Sequence, residues 1–227
     1  MSPVTRGFAA GLLGFVALAG FAAAEATAGE TGKKGLPARA GFVTHEVDGR
    51  WWIFRAGSEE LAEFTKSGEP EKCITRVGVQ PYKLTLRAPD LATMEEYLTA
   101  KPGFVTKFDD GRLWIFRENC KEYAEFVKHG ELAKQVVRPG AGPRRMTLKA
   151  PDTETIVAYL TAHDGFATII DNGRLWVFRP DSKELAEFQI KGQLTRHVER
   201  TAAGPLGLTV RAADDATLDA YLKACGR

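Results

Sequence analysis

The 227-residue chain has only three cysteines, four histidines and three methionines. That excludes a cysteine-rich scaffold, and the few Cys and His lack the spacing of zinc, c-type haem or iron–sulfur sites. Charge of one sign is also missing, since 31 Lys+Arg against 29 Asp+Glu leave a net +2. Nucleic-acid binding needs a basic excess to neutralise phosphates, so no DNA or RNA partner is expected. There is no Ser in a Gly-x-Ser-x-Gly elbow and no Walker loop, hence no strong catalytic motif, no metal site and no cofactor are expected. What is present is an ordinary globular composition, 44% apolar and 26% charged, long enough for one large domain or two small ones.

The one long uncharged run lies at the N-terminus. Arg6 precedes Gly7 to Phe21, followed by Ala22-Ala23-Ala24 and then Glu25. A positive charge, a weakly apolar run and a small-residue motif make 1–24 a secretory signal peptide, cleaved after Ala24 or, as the second choice, after Ala28. An uncleaved anchor is the alternative, because the run has about the length that spans a bilayer; its Ala and Gly content favours cleavage. After cleavage no membrane span remains, and the mature protein is expected in the periplasm or outside the cell. Residues 25–40 show no apolar period and read as a flexible linker.

The rest is one unit written three times. From Gly41 the chain repeats every 62 residues without gaps, as 41–102, 103–164 and 165–226, and 22 of the 62 positions carry the same residue in all three copies. Within each copy, β-branched and aromatic residues flank Asp48-Gly49, Asp110-Gly111 or Asn172-Gly173, predicting a hairpin closed by a type I′ turn. A two-residue loop pairs 47 with 50, 45 with 52 and 43 with 54 on one face, and 46 with 51, 44 with 53 and 42 with 55 on the other. Both faces are apolar, so both need cover, expected from a helix layer and a neighbouring unit. A short helix follows over 58–68, ended by Gly68, Gly130 and Gly192, with Asn119-x-x-Glu122 and Asp181-x-x-Glu184 as capping boxes. Two strands are expected at about 72–77 and 82–87. A second helix then starts at the N-caps Asp90, Asp152 and Asp214, with Thr93, Thr155 and Thr217 in its first turn and the stripe Met94/Tyr97/Leu98 facing inward. The fold expected is α+β: three tandem ββαββα repeats, mostly antiparallel, with helices packed on the sheets. Three equal units could close into a pseudo-threefold ring or stack in a row, and the sequence leaves both open.

Polar residues that recur in every copy are the candidates for binding. Arg55, Arg117 and Arg179 end the second strand of each hairpin, and Arg76, Arg138 and Arg200 lie in the third strand; a guanidinium offers a planar fork of donors to carboxylates or phosphates. Glu63, Glu125 and Glu187 fall away from the apolar stripe of the first helix, free to meet one of these arginines. Ion pairing between units competes with an anion cleft as their purpose. Trp52, Trp114 and Trp176 read as core, whereas Trp51, replaced by Leu113 and Leu175 in the later copies, reads as a candidate exposed stacking residue. The cysteines occupy unrelated repeat positions; in an oxidising compartment Cys73–Cys120 is the pairing favoured, with Cys225 left over. His45, His129, His163 and His197 are scattered too.

These features favour an exported, non-enzymatic repeat protein acting as a binding or scaffold module for an envelope protein or a glycan. Two alternatives stand beside it: a small-anion receptor or enzyme with an Arg/Glu site at the repeat interfaces, best sought where the copies differ, as at His45, Lys107 and Ile169; and a redox or metal protein using the scattered Cys and His.

Overall fold

Each of the Asp-Gly and Asn-Gly pairs adopts the left-handed backbone that a type I′ turn requires, with φ of 51° and 71° at Asp48 and Gly49, and the hairpin register follows from it. The structure, a computed structural model, describes residues 35–226 apart from residue 81. The expected signal segment 1–24 and most of the expected linker lie outside the described residues. In the first unit, β1 (Phe42–Val47) and β2 (Arg50–Arg55) precede α1 (Glu59–Ser67), β3 (Ile74–Val79), β4 (Leu84–Ala88) and α2 (Leu91–Thr99). The second unit has β5 (Phe104–Asp109), β6 (Arg112–Arg117), α3 (Lys121–His129), β7 (Val136–Arg138), β8 (Thr147–Ala150) and α4 (Thr153–Thr161). The third has β9 (Ala167–Asp171), β10 (Arg174–Phe178), α5 (Lys183–Lys191), β11 (Val198–Arg200), β12 (Thr209–Ala212) and α6 (Asp215–Ala224). The result is three similar ββαββα units, α+β throughout.

Pairing of β1 with β2 runs from Phe42 opposite Arg55 to Val47 opposite Arg50, the register set by the two-residue turn. Each unit is a four-stranded mixed sheet of order β1-β2-β4-β3 or its equivalent, with β2 and β4 parallel and the other neighbours antiparallel. The third and fourth strands of the first unit begin about two residues later than the alternation suggests.

The hairpin is covered on both faces, but by the two helices of its own unit rather than by a helix and a neighbour. Trp52 and Phe54 pack with Phe64 of α1, while Ile53 and Leu86 pack with Met94 and Tyr97 of α2. The same division recurs around Trp114 and Phe116 against Leu113 and Ile115, and around Trp176 and Phe178 against Leu175 and Val177. Burial of each such side chain contributes about 1.5–3 kcal/mol. Trp51 shares the α2 face: it is half-buried and packs on the Ile53 cluster, where Leu113 and Leu175 sit in the later copies. Across the parallel pair, Arg87, Lys149 and Arg211 lay their cationic heads over the rings of Trp52, Trp114 and Trp176 at 4.3, 4.5 and 5.3 Å.

Helix ends follow local chemistry. The Asp90, Asp152 and Asp214 carboxylates each accept the N–H of the threonine three residues on, at 2.7 Å. Gly68, Gly130 and Gly192 end the first helices with φ of 84°, 75° and 70°, a backbone that favours glycine. The expected capping boxes are displaced by one residue. Asn119 and Asp181 take the left-handed conformation that Gly57 takes in the first unit, so the N-cap passes to Ser58, Cys120 and Ser182. Ser58 and Ser182 accept from Leu61 and Leu185 N–H; Cys120 makes no such bond.

Neighbouring units are joined through the second helix. The Tyr159 and Tyr221 hydroxyls, buried in α4 and α6, donate to the carbonyls of Thr99 and Thr161 in the helix of the preceding unit, each at 2.7 Å. Tyr97 of the first unit donates to the carbonyl of Pro37, also at 2.7 Å, while Leu36 packs on the first core. The described end of the expected linker thus takes the place that a helix end takes at the other two junctions. Along the same junction α2 approaches the edge strand of the next sheet, where Glu96 accepts the Phe108 N–H at 3.2 Å and its carbonyl accepts from the Thr106 hydroxyl at 3.2 Å. The free edge of a sheet invites uncontrolled pairing, and here the preceding helix occupies it.

Exposed Lys223 holds the position of the buried Thr99 and Thr161, and exposed Glu46 that of Phe108 and Ile170.

Cys120→Ser is expected to supply the missing cap and raise stability by about 1 kcal/mol, read as a higher urea midpoint at constant m-value. Tyr159→Phe, which orphans the Thr99 carbonyl, is expected to lower stability by about 1–2 kcal/mol in the same measurement.

Candidate functional site

Arginines at one repeat position meet different fates because their partners differ between copies. Arg55 donates through Nε to Glu96 at 3.0 Å and lies 3.9 Å from Asp90; burial opposes its charge, but the bond to Glu96 more than offsets this and holds its pKa above the ordinary value. The position of Glu96 is filled by Ala158 and Ala220 later on. Arg117 accordingly lies exposed along a groove with Thr153 and Glu154, and Arg179 rests its guanidinium 4.6 Å from the Phe166 ring centre. Arg76 bonds Glu95 at 2.5 Å and Arg200 bonds Asp219 at 2.5 Å; Val157 takes that place in the second unit, and Arg138 is exposed there.

Glu63, Glu125 and Glu187 do not meet these arginines. They sit on α1, α3 and α5, over the Trp52 face of each sheet, whereas Arg55 and Arg76 point to the face covered by α2. Glu63 accepts the Glu71 N–H at 3.4 Å, Glu187 pairs with Lys191 at 2.9 Å, and Glu125 is exposed. None of the three cysteines forms a disulfide: Cys73 packs in the outer core of the first unit and Cys120 in that of the second, so the expected Cys73–Cys120 bridge is not made. Three of the histidines lie against separate aromatic partners, His45 on Phe64, His163 on Tyr221 and His197 on Trp176.

Glu95 and Glu96 do not recur as a pair in the later copies, and both are buried, at 4% and 2% exposure. Glu95 is held between Arg76 and Arg144 of the next unit. Glu96 is held by Arg55, by Lys107 at 3.3 Å and by the Phe108 amide. Two cations and a backbone donor offset the desolvation that makes buried carboxylates costly. The signal in the sequence is a break in the repeat, Glu95-Glu96 against Val157-Ala158 and Asp219-Ala220.

A second constellation comes from residues just beyond the second helix. Ala100, Ala162 and Ala224 are the same in every copy; the following position holds Lys101, His163 and Cys225, with Arg39 one period earlier. Because the tyrosine bonds bring successive helix ends together, Arg39, Lys101 and His163 line one cavity of about 210 Å³ with Tyr82, Tyr97, Tyr159 and Asp164. Arg39 grips Asp164 through both carboxylate oxygens; burial works against its charge, but Asp164 prevails and raises its pKa. Lys101 donates to the Tyr159 carbonyl at 2.9 Å and lies 4.8 Å from the centre of that ring. Burial lowers its pKa to about 8, with Cys225 and Asp164 opposing the shift. Burial, then the charge of Lys101, lowers that of His163. Such an arrangement can hold a negative group and offers an amine that sheds its proton close to neutrality.

Comparison with protein-family models, curated proteins and solved structures finds no match for this chain.

Between pH 8 and 10.5 the unfolded chain keeps the Lys101 proton that the folded chain has released, so this lysine makes stability rise with pH across that window, opposed from about pH 10 by Tyr97 and Tyr159, whose burial raises their pKa. Lys101→Met is expected to flatten the rise, by up to about 3 kcal/mol, in urea titrations run from about pH 7 to 11.

Proposed function

We propose that the protein is an exported, non-enzymatic binding module whose unit junctions meet a partner in the envelope or outside the cell. The observation that carries this is the placement of the recurrent arginines. Arg55, Arg76 and Arg200 engage carboxylates of their own units and Arg179 a ring, rather than gathering at one reacting centre, so these four serve cohesion, while Arg117 and Arg138 are exposed in the second unit. Export rests on the signal pattern of residues 1–24. Among the described residues no helix is long and apolar enough to cross a membrane.

The surface best suited to a partner is the groove between the second and third units, of about 480 Å³. Val157, Ala158, Ile169 and Ile170 give it apolar walls, and Arg117, Glu154 and Asn172 a polar rim. An apolar floor with a polar rim is the build of a protein-recognition site. At the first junction the corresponding residues Glu96 and Lys107 bond each other, so the groove of about 430 Å³ there carries an ion pair on its wall where the second has Ala158 and Ile169.

Immobilised full chain is expected to capture a defined protein from envelope extract, and Ala158→Glu, which places a charge on the groove wall, is expected to lose that capture while keeping its circular dichroism. Retention by a glycan array instead would move the partner to another class. Failure of both, together with turnover in an activity screen, would overturn the proposal.

A further inference from the structure

The geometry points to a second site, independent of the partner groove: the cavity between the ends of α2 and α4 binds a small oxyanion, with Lys101 and His163 as its ligands and Arg39 as the frame that closes it. The Lys101 ammonium has three donors, of which one is taken by the Tyr159 carbonyl. Among the described residues no carboxylate lies within ion-pair distance of it, because Asp164, the acidic residue lining the cavity, is held by Arg39. A largely buried ammonium without a paired anion is costly, and the cavity beside it has room for a sulfate- or phosphate-sized group, several times the roughly 30 Å³ that one water occupies in the liquid.

Charges facing the cavity sum to an anion site. Arg39 and Asp164 cancel, leaving Lys101 positive and His163 able to add a second charge in acid; the remaining titratable neighbours are Tyr82, Tyr97, Tyr159 and, next to Lys101, Cys225. The Tyr97 and Tyr159 hydroxyls are committed to the Pro37 and Thr99 carbonyls, so they fix the walls and leave the anion to the basic groups. Packing does not account for the bases, since the same repeat position carries Cys225 after α6. Basic side chains occupy the successive places, 39, 101 and 163, that share the cavity.

Sulfate is the informative probe because its charge is constant across the useful pH range, and phosphate tests the same site with a biological group. Calorimetric titration of the full chain in chloride buffer is expected to show one saturable sulfate site at about pH 6.5, weakened at least roughly tenfold at about pH 9.5 as Lys101 loses its proton. Lys101→Met is expected to abolish binding while melting at or above the temperature of the parent, since it removes a buried charge, and His163→Ala to remove the gain on acidification. Arg50→Ala, on the exposed hairpin, is expected to bind as the parent does. No saturable binding of either anion, affinity indifferent to pH, or unchanged affinity in Lys101→Met would each overturn the assignment. Partner capture by the groove is read separately, so either result can fail without the other.

Discussion

A phenol buried in an apolar core has to find an acceptor, and in the second and third units of this chain the acceptor lies in the unit before. Tyr97, Tyr159 and Tyr221 are each at most 1% exposed, and their hydroxyls close on carbonyls 60 residues earlier. Leaving such a bond unmade at that depth would cost on the order of 1–3 kcal/mol. The tyrosines therefore have two tasks: their rings complete the core of one unit, and their oxygens fix the distance and angle to the next. The rest of each junction follows, including the helix lying along the neighbouring edge strand and the convergence of the helix ends.

Local chemistry and period are legible in the amino-acid order. The Asp-Gly turn fixes the hairpin register, the aspartate caps and glycine stops bound the helices, and the 62-residue period divides the chain. Displacement of the capping box has a readable cause as well: Gly57 stands where Asn119 and Asp181 stand, and a place that accepts glycine, asparagine and aspartate is a left-handed turn position before it is a cap. Long-range relations are not written in this way. Whether Arg55 faces Glu63 or Glu96 depends on which face of the sheet each helix covers, and neither helix announces its side. The linker misleads for a similar reason, because Leu36 and Pro37 act as a helix end without the periodicity of a helix.

The candidate site is visible in the sequence only in a form that is easy to discard. Residues shared by all three copies are mainly structural, since duplication preserves what holds the unit together. Differences between copies carry the individuality: Glu96 and Lys107 make the first junction ionic, Ala158 and Ile169 make the second apolar, and Lys101 and His163 turn a generic helix end into a basic cavity. His163 shares no repeat position with another histidine, yet it is equivalent to a lysine and an arginine; the kinship lies in place and charge rather than in residue type.

If the tyrosine bonds and edge-covering helices couple the units, the array must unfold as one body. Each unit holds one tryptophan at the same core position, Trp52, Trp114 and Trp176, at 2%, 2% and 3% exposure, so three variants retaining a single one of them, with Trp51 replaced by leucine, report on the units separately. Urea titrations followed by tryptophan fluorescence should place each variant's transition at the same midpoint as its own far-ultraviolet circular dichroism, with a common m-value. Fluorescence transitions that depart from the circular dichroism of the same variant, unit by unit, would show domains merely strung together and would contradict the coupling on which the cavity and the grooves depend.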